Sequence, residues 1–140
     1  MPELTIGEVA RRTGVATSAL RYWEELGLLD PPERVSGRRR YTESAVTRVG
    51  VLLLLRDAGF SLAEQKAVID ARGDEWRRLH RRKIAELDEQ IQKIQLAREA
   101  ISHGLECPHE DPLECRNLRW LAAARLAGKS LQEADAELHA

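Results

Sequence analysis

The most constraining stretch of this chain runs from Asp74 to Leu105 and holds no proline and a single glycine, Gly104. Within it Ile84, Leu87, Ile91, Ile94, Ile101 and Leu105 recur at alternating steps of three and four, with Arg98 filling one seam position. That spacing is the heptad pattern of a coiled-coil seam, narrower than the stripe of a helix lying on a globular core. Extended backwards, the seam lands on His80 and Arg77. A helix of about 30 residues is roughly 45 Å long, and a chain of 140 residues cannot wrap such a rod in its own core. The seam therefore calls for a partner helix, and the simplest partner is the same helix of a second copy. An intramolecular helical hairpin is the alternative.

Charged residues make up 32% of the chain and aromatic residues 4%, which predicts a helical protein with an aliphatic core. A net charge of −1 gives no global attraction to nucleic acid, so any basic footprint must be local. The longest apolar run, Val49 to Leu55, is interrupted by Gly50 and ended by Arg56, too short to span a bilayer. Pro2 to Thr5 carries Glu3 and leads straight into helix-forming sequence, so no signal peptide is expected and the location is expected to be cytoplasmic. Cys107 and Cys115 would be kept reduced there, which favours metal binding or redox sensing over a structural disulfide.

Thr5-Ile6-Gly7-Glu8 has the form of a capping box, and the helix it opens stops at Thr13-Gly14. A second helix carries Leu20 to Leu26 and ends at Gly27; two short helices joined by a tight turn describe a helix-turn-helix. Asp30-Pro31-Pro32 forces an extended exit. Arg34-Val35-Ser36-Gly37-Arg38-Arg39-Arg40-Tyr41 then reads as a glycine turn flanked by a basic cluster. Consecutive arginines repel each other unless a polyanion lies alongside, and arginine grips phosphate with paired hydrogen bonds. Thr42 is expected to cap a third helix running to Arg56, and Ser61-Leu62-Ala63-Glu64 is a second capping box.

The runs TIGEVARRTGV, LRYWEELGLL, GRRRYT and LRDAGFSL follow one another in order from Thr5 to Val68. Together they resemble the MerR family of transcription regulators, and the long helix stands where that family places its dimerisation helix. The resemblance implies a winged helix-turn-helix head. It puts Thr17, Ser18, Arg21 and Tyr22 at DNA-facing positions in the major groove and Arg38, Arg39 and Tyr41 of the wing at the phosphates. Arg56 would be a further backbone contact, or else an arginine satisfying the last carbonyls of its helix. Ala16 stands at the expected cap of the second helix, a poor capping residue, so Thr17 is expected to cap one residue late.

Beyond the rod, two thiols eight residues apart flank His109 on the loop Cys107-Pro108-His109-Glu110-Asp111-Pro112-Leu113-Glu114-Cys115. Cysteine and histidine are the soft and borderline ligands of copper(I) and zinc. The loop resembles the effector loop of metal-sensing MerR regulators, copper-efflux regulators above all. A four-cysteine cluster within one chain is excluded, as there are two cysteines. The family's long helices pair antiparallel, which would bring His80 of one copy towards the other copy's cysteine loop. The expected metal set is thus Cys107, Cys115 and His109, with His80 as an outside candidate. A reversible thiol switch and a purely structural pair of cysteines stay open.

The expectation is a mainly α protein, a winged helix-turn-helix head on a long antiparallel coiled-coil dimerisation helix. Its parts would be a DNA-binding domain over 1–71, the dimerisation helix over 72–106, and the effector loop with C-terminal helices over 107–140. No nucleophile–base pair, phosphate loop or open metal triad marks an enzyme. The resemblance implies a homodimer on double-stranded promoter DNA that distorts the DNA so that RNA polymerase engages, in response to a thiophilic metal, copper(I) or zinc. A thiol-redox regulator and an effector-independent DNA-bending protein are the alternatives.

Overall fold

The computed structural model describes residues 3–140; Met1 and Pro2, where the expected leaderless N-terminus begins, lie outside them. The elements in order are α1 (Ile6–Thr13), α2 (Thr17–Glu25), β1 (Glu33–Val35), β2 (Arg38–Arg40), α3 (Glu43–Asp57), α4 (Leu62–Asp70), α5 (Gly73–Glu106), a 3-10 turn (Pro112–Glu114), α6 (Arg116–Leu126) and α7 (Leu131–Leu138). No described helix is long and apolar enough to cross a membrane. The chain divides into two compact units, one through Arg81 and one from Arg82 to Ala140.

In the first unit, α1 and α2 form the helix-turn-helix. Thr5 caps α1 by accepting the Glu8 amide at 3.2 Å, and the Glu8 carboxylate receives the Thr5 hydroxyl at 3.1 Å. Gly14 ends α1 in the left-handed region at φ 74°, which an L side chain adopts only under strain. Leu20 and Trp23 turn the inner face of α2 onto a core shared with Val9, Leu28, Val49 and Leu52. Between β1 and β2, Ser36 and Gly37 both have positive φ, 53° and 76°, the signature of a two-residue hairpin turn whose twist matches its strands. The register pairs Glu33 with Arg40, Arg34 with Arg39 and Val35 with Arg38. A bridge between Leu4 and Tyr41, with two backbone hydrogen bonds of 2.8 Å, ties the hairpin's base to the N-terminal segment.

Arg48 fastens α3 to its neighbours, donating to the Leu28 carbonyl at 2.6 Å and to Asp70 at 3.0 Å. Ser61 and Glu64 form the complete capping box expected at the start of α4. Leu55, Phe60 and Val68 make a small second core on which Leu79 of α5 packs.

Two caps differ from expectation. Ala16, not Thr17, holds the N-cap position of α2, and no side chain caps that end; Thr17 already sits in the helix. Thr42 holds the N-cap of α3, but its hydroxyl pairs with that of Ser44 at 2.7 Å and leaves the amides uncapped. Competition from a nearby hydroxyl is the physical reason in the second case.

In the second unit, the seam of α5 is bare. Ile84, Ile91, Ile94, Ile101 and Leu105 are 51–89% exposed within one chain. Isolated exposed apolar residues are ordinary, but five in heptad register along one helix require cover. The first turns of α5 have another occupation in the first unit. His80 Nδ1 donates to the Trp76 carbonyl, 2.8 Å away, and the ring lies 4.2 Å from the Trp76 ring and 6.2 Å from Phe60, centroid to centroid. The seam available to a partner thus begins at Ile84. After the 3-10 turn, α6 and α7 fold back in a helical pair whose second member carries a capping box, Ser130 and Glu133, and the buried Ala134.

Candidate functional site

On the head, α2 has two faces. Leu20 and Trp23 are buried, whereas Ser18, Arg21 and Tyr22 face solvent and Thr17 is half-buried. The uncapped start of α2 leaves backbone amides and the positive end of the helix dipole for an anion.

The hairpin supplies the basic surface. Arg38 is exposed, and Arg39 stands directly across from Arg34, a like-charge pairing that destabilises the strand pair unless an anion lies against it. Arg39 is also held by Glu24 of α2 at 3.3 Å. The same carboxylate accepts the Tyr41 hydroxyl. Burial first, and then the Glu24 carboxylate, push the Tyr41 hydroxyl's pKa up, so it stays protonated and remains a donor. Tyr41 is only 3% exposed, so this tyrosine sits under the hairpin and not on its outer surface. Glu24 thereby couples the hairpin to α2 through two side chains. Arg56, at the end of α3, is exposed and 3.8 Å from Asp57.

At the other end of α5, the cysteine loop is tightly built. The Cys107 amide donates to the His103 carbonyl at 3.0 Å, so Cys107 prolongs the ladder of α5 and lies one turn beyond His103 on the same face. Asp111 caps the 3-10 turn by accepting the Leu113 amide at 2.9 Å. That turn ends with the Cys115 amide donating to the Pro112 carbonyl at 3.1 Å, which delivers Cys115 to the start of α6.

The outcome is a cluster of His103, Cys107 and Cys115 with all donor atoms within 4.8 Å of one another. His103 Nε2 lies 3.9 Å from Cys115 Sγ. Cys115 is buried, Cys107 half-buried and His103 exposed. Two sulfurs and an imidazole gathered this closely are the donor types that a thiophilic metal ion takes. The amide of Leu118 foremost, then the His103 ring, lower the Cys115 thiol to about 7; burial opposes them, and Cys107 and the Asn117 amide add to them. The position at a helix N-terminus explains the direction.

Thiolate absorbance should therefore rise through about pH 7 as Cys115 ionises. The depressed pKa means the native state gains stability from this group above the unfolded thiol's range and loses it as the pH falls through about 7. His103→Ala should move the midpoint upward; a midpoint that stays put would show that the imidazole has no hold on this sulfur.

Of the residues singled out in the sequence, Cys107 and Cys115 come together. His109 is exposed on the loop and outside the cluster. His80 is engaged by Trp76 and Phe60 in the first unit. His103 lies off the seam and outside the loop, so sequence order does not single it out. Its signal was the His-x3-Cys spacing across the helix end.

Residues 4–72 match the family described as MerR HTH family regulatory protein, and residues 46–104 match MerR, DNA binding. HTH-type transcriptional regulator CueR of Escherichia coli is 32% identical over 120 residues, covering 80% of this chain and 89% of that protein. The chain belongs to the MerR family. It is accordingly a DNA-binding transcription regulator and not an enzyme. The HTH-type transcriptional activator SoxR homolog of Chromobacterium violaceum is also 32% identical, over 74% of this chain and 75% of its own length. Among solved structures, HiNmlR, a MerR family regulator lacking the sensor domain and bound to promoter DNA, shares the fold. It has a TM-score of 0.57 at 20% identity, with 94% of this chain and 98% of that chain covered. Winged head and long helix are thus the MerR arrangement.

Proposed function

We propose that this MerR regulator works as a homodimer on promoter DNA and answers a thiophilic metal bound by its cysteine loop. Thr17, Ser18, Arg21 and Tyr22 would meet the major groove, with Arg38, Arg39 and the exposed Arg56 on the phosphates. Tyr41 would act from beneath, holding Glu24 where it orients Arg39. The domains would divide as head over 1–71, dimerisation helix over 72–106 and effector segment over 107–140, although Leu79 shows the first turns of α5 shared with the head.

The observation that carries the metal reading is the close set of Cys107 and Cys115 thiols at the end of the dimerisation helix. The likeness to CueR supports it. Cys107 and Cys115 would hold the metal, which supplies a link between the helix end and the start of α6. The chain's part is to keep both sulfurs on a loop preset by Asp111 and Pro112. The regulator would then favour one of two dimer geometries and so distort the promoter for RNA polymerase, a coupling of order 1–3 kcal/mol. Titration of the reduced protein with copper(I) and with zinc tests this. Wild type should bind one of them far more tightly than Cys107→Ser/Cys115→Ser, and equal binding would reject the metal reading.

A second reading rests on the same two sulfurs. A thiol lowered to about 7 beside a second thiol can enter a reversible disulfide under an oxidant such as a peroxide. If neither metal nor oxidant alters DNA binding or bending, the protein is an effector-independent DNA-bending regulator.

A further inference from the structure

We infer that His103 is a third metal ligand of the cysteine loop, and that it turns a two-thiolate site into a nitrogen–sulfur site for a divalent cation of the zinc type in preference to copper(I). The inference rests on the reading of the loop as a metal site and adds which ion it takes. Three independent features of the chain converge on it.

The donor set comes first. His103 is the only histidine whose ring nitrogen lies with both sulfurs in a cluster spanning 4.8 Å among the described residues. His103 and Cys107 are joined by a helical hydrogen bond of 3.0 Å, so their spacing is fixed by the backbone. Copper(I) is well served by thiolates alone, whereas an imidazole nitrogen beside two thiolates is the borderline mixture that zinc-type ions prefer.

Charge balance is the second feature. A dication with two thiolates and a neutral imidazole sums to zero, while copper(I) on the same two thiolates leaves one negative charge. Cys115 is 6% exposed, and an uncompensated charge is costly where water is scarce.

The surroundings are the third. Glu106, Glu110, Asp111 and Glu114 border the two cysteines. Each attracts a dication twice as strongly as a monocation at the same distance, and each repels a site left net negative.

The placement of His103 adds a consequence for regulation. Cys107 and Cys115 lie just past α5 and at the start of α6, but His103 is part of α5 itself. Ligation by His103 would add a bond within the dimerisation helix itself, where a two-thiolate ion would be held only by residues just beyond its end.

The test measures affinity for zinc and for copper(I) separately, by chelator competition, on the reduced full chain and its His103→Ala variant. His103 is exposed, so its truncation removes little packing, and the helical circular dichroism of the variant should match that of wild type. Zinc affinity should fall by at least the about tenfold to hundredfold that loss of a mere outer-shell partner causes at metal sites, while copper(I) affinity stays within a few-fold. With cobalt(II) as a spectroscopic probe, the variant should keep the sulfur-to-metal charge-transfer band but lose intensity in the ligand-field region. Unchanged zinc affinity, or equal losses for both ions, would overturn the role of His103 while leaving the thiol site standing. If wild type binds neither ion better than Cys107→Ser/Cys115→Ser, the underlying metal reading falls and this inference with it.

Discussion

Ile91→Asp should dissociate the protein into monomers and abolish tight operator binding. Ile91 is 51% exposed in one chain and sits mid-seam, flanked by Leu87 and the exposed Ile94. In a seam closed by a second copy, this change buries a carboxylate in each helix with no counter-charge, and an unpaired buried charge costs about 3–5 kcal/mol. Two such penalties exceed what a seam of this length can spare, so the dimer dissociation constant should rise by at least about a thousandfold, by the equivalence of 1.4 kcal/mol to one factor of ten. A single head retains contacts to one half-site only, and two-site binding disappears with the dimer. Sedimentation of Ile91→Asp checks the first part, and retention of a full dimer would remove the coiled-coil seam from the account. Ile84 is the wrong residue for this experiment, because it lies nearest the turns of α5 that the head already uses.

Leu20→Ala should cost about 2–5 kcal/mol of head stability, the range for a fully buried leucine truncated in a core. Leu20 has 0% exposure and forms the inner face of α2 with Trp23. Domains of this size are stable by roughly 5–15 kcal/mol, so the loss takes a large share and should lower the urea midpoint clearly. Arg39→Ala makes the contrast. Its partner Glu24 is half-buried and keeps the Tyr41 hydroxyl, so stability should change little, while DNA affinity falls and its dependence on salt becomes shallower. A Leu20→Ala protein that melts like wild type would place α2 with the wrong face inward, and would move the DNA-facing residues with it.

Much of this was legible because local signals agreed with one another. Ser61 and Glu64 are three residues apart and form the box that their spacing predicts. Ser36-Gly37 fits a two-residue hairpin, and the long helix ends at Glu106, one residue past the Leu105 expected from the heptads. Less was legible where tertiary packing competes with pattern. The heptad extended backwards to His80, yet the head claims Trp76, Leu79 and His80, because Phe60 and its neighbours need an apolar cover. Thr42 had the right chemistry for a cap and lost it to Ser44, a partner two residues away.

The candidate site was half legible. The two cysteines on one short loop identify themselves, and their approach follows from prolines and an aspartate that turn the chain back. The histidine does not, since sequence order draws attention to His109 between the thiols. The closing turn presents His109 to solvent and brings Cys115 back to the helix end, beside His103. Three-dimensional closure decides which imidazole is near. Tyr41 is a similar case: its place after the arginines suggests a surface contact, but the Leu4 bridge draws it into the core, where Glu24 receives its hydroxyl.

On the proposed function, the cysteine loop converts metal binding into a change at DNA without releasing it. The most direct measurement follows transcription and operator occupancy together in one reaction, on DNA selected for binding to the purified dimer, with and without metal. Wild type should change transcription several-fold while its footprint stays nearly constant, and Cys107→Ser/Cys115→Ser should keep the footprint and lose the response. Transcription that ignores metal in both proteins, at equal occupancy, would contradict the account.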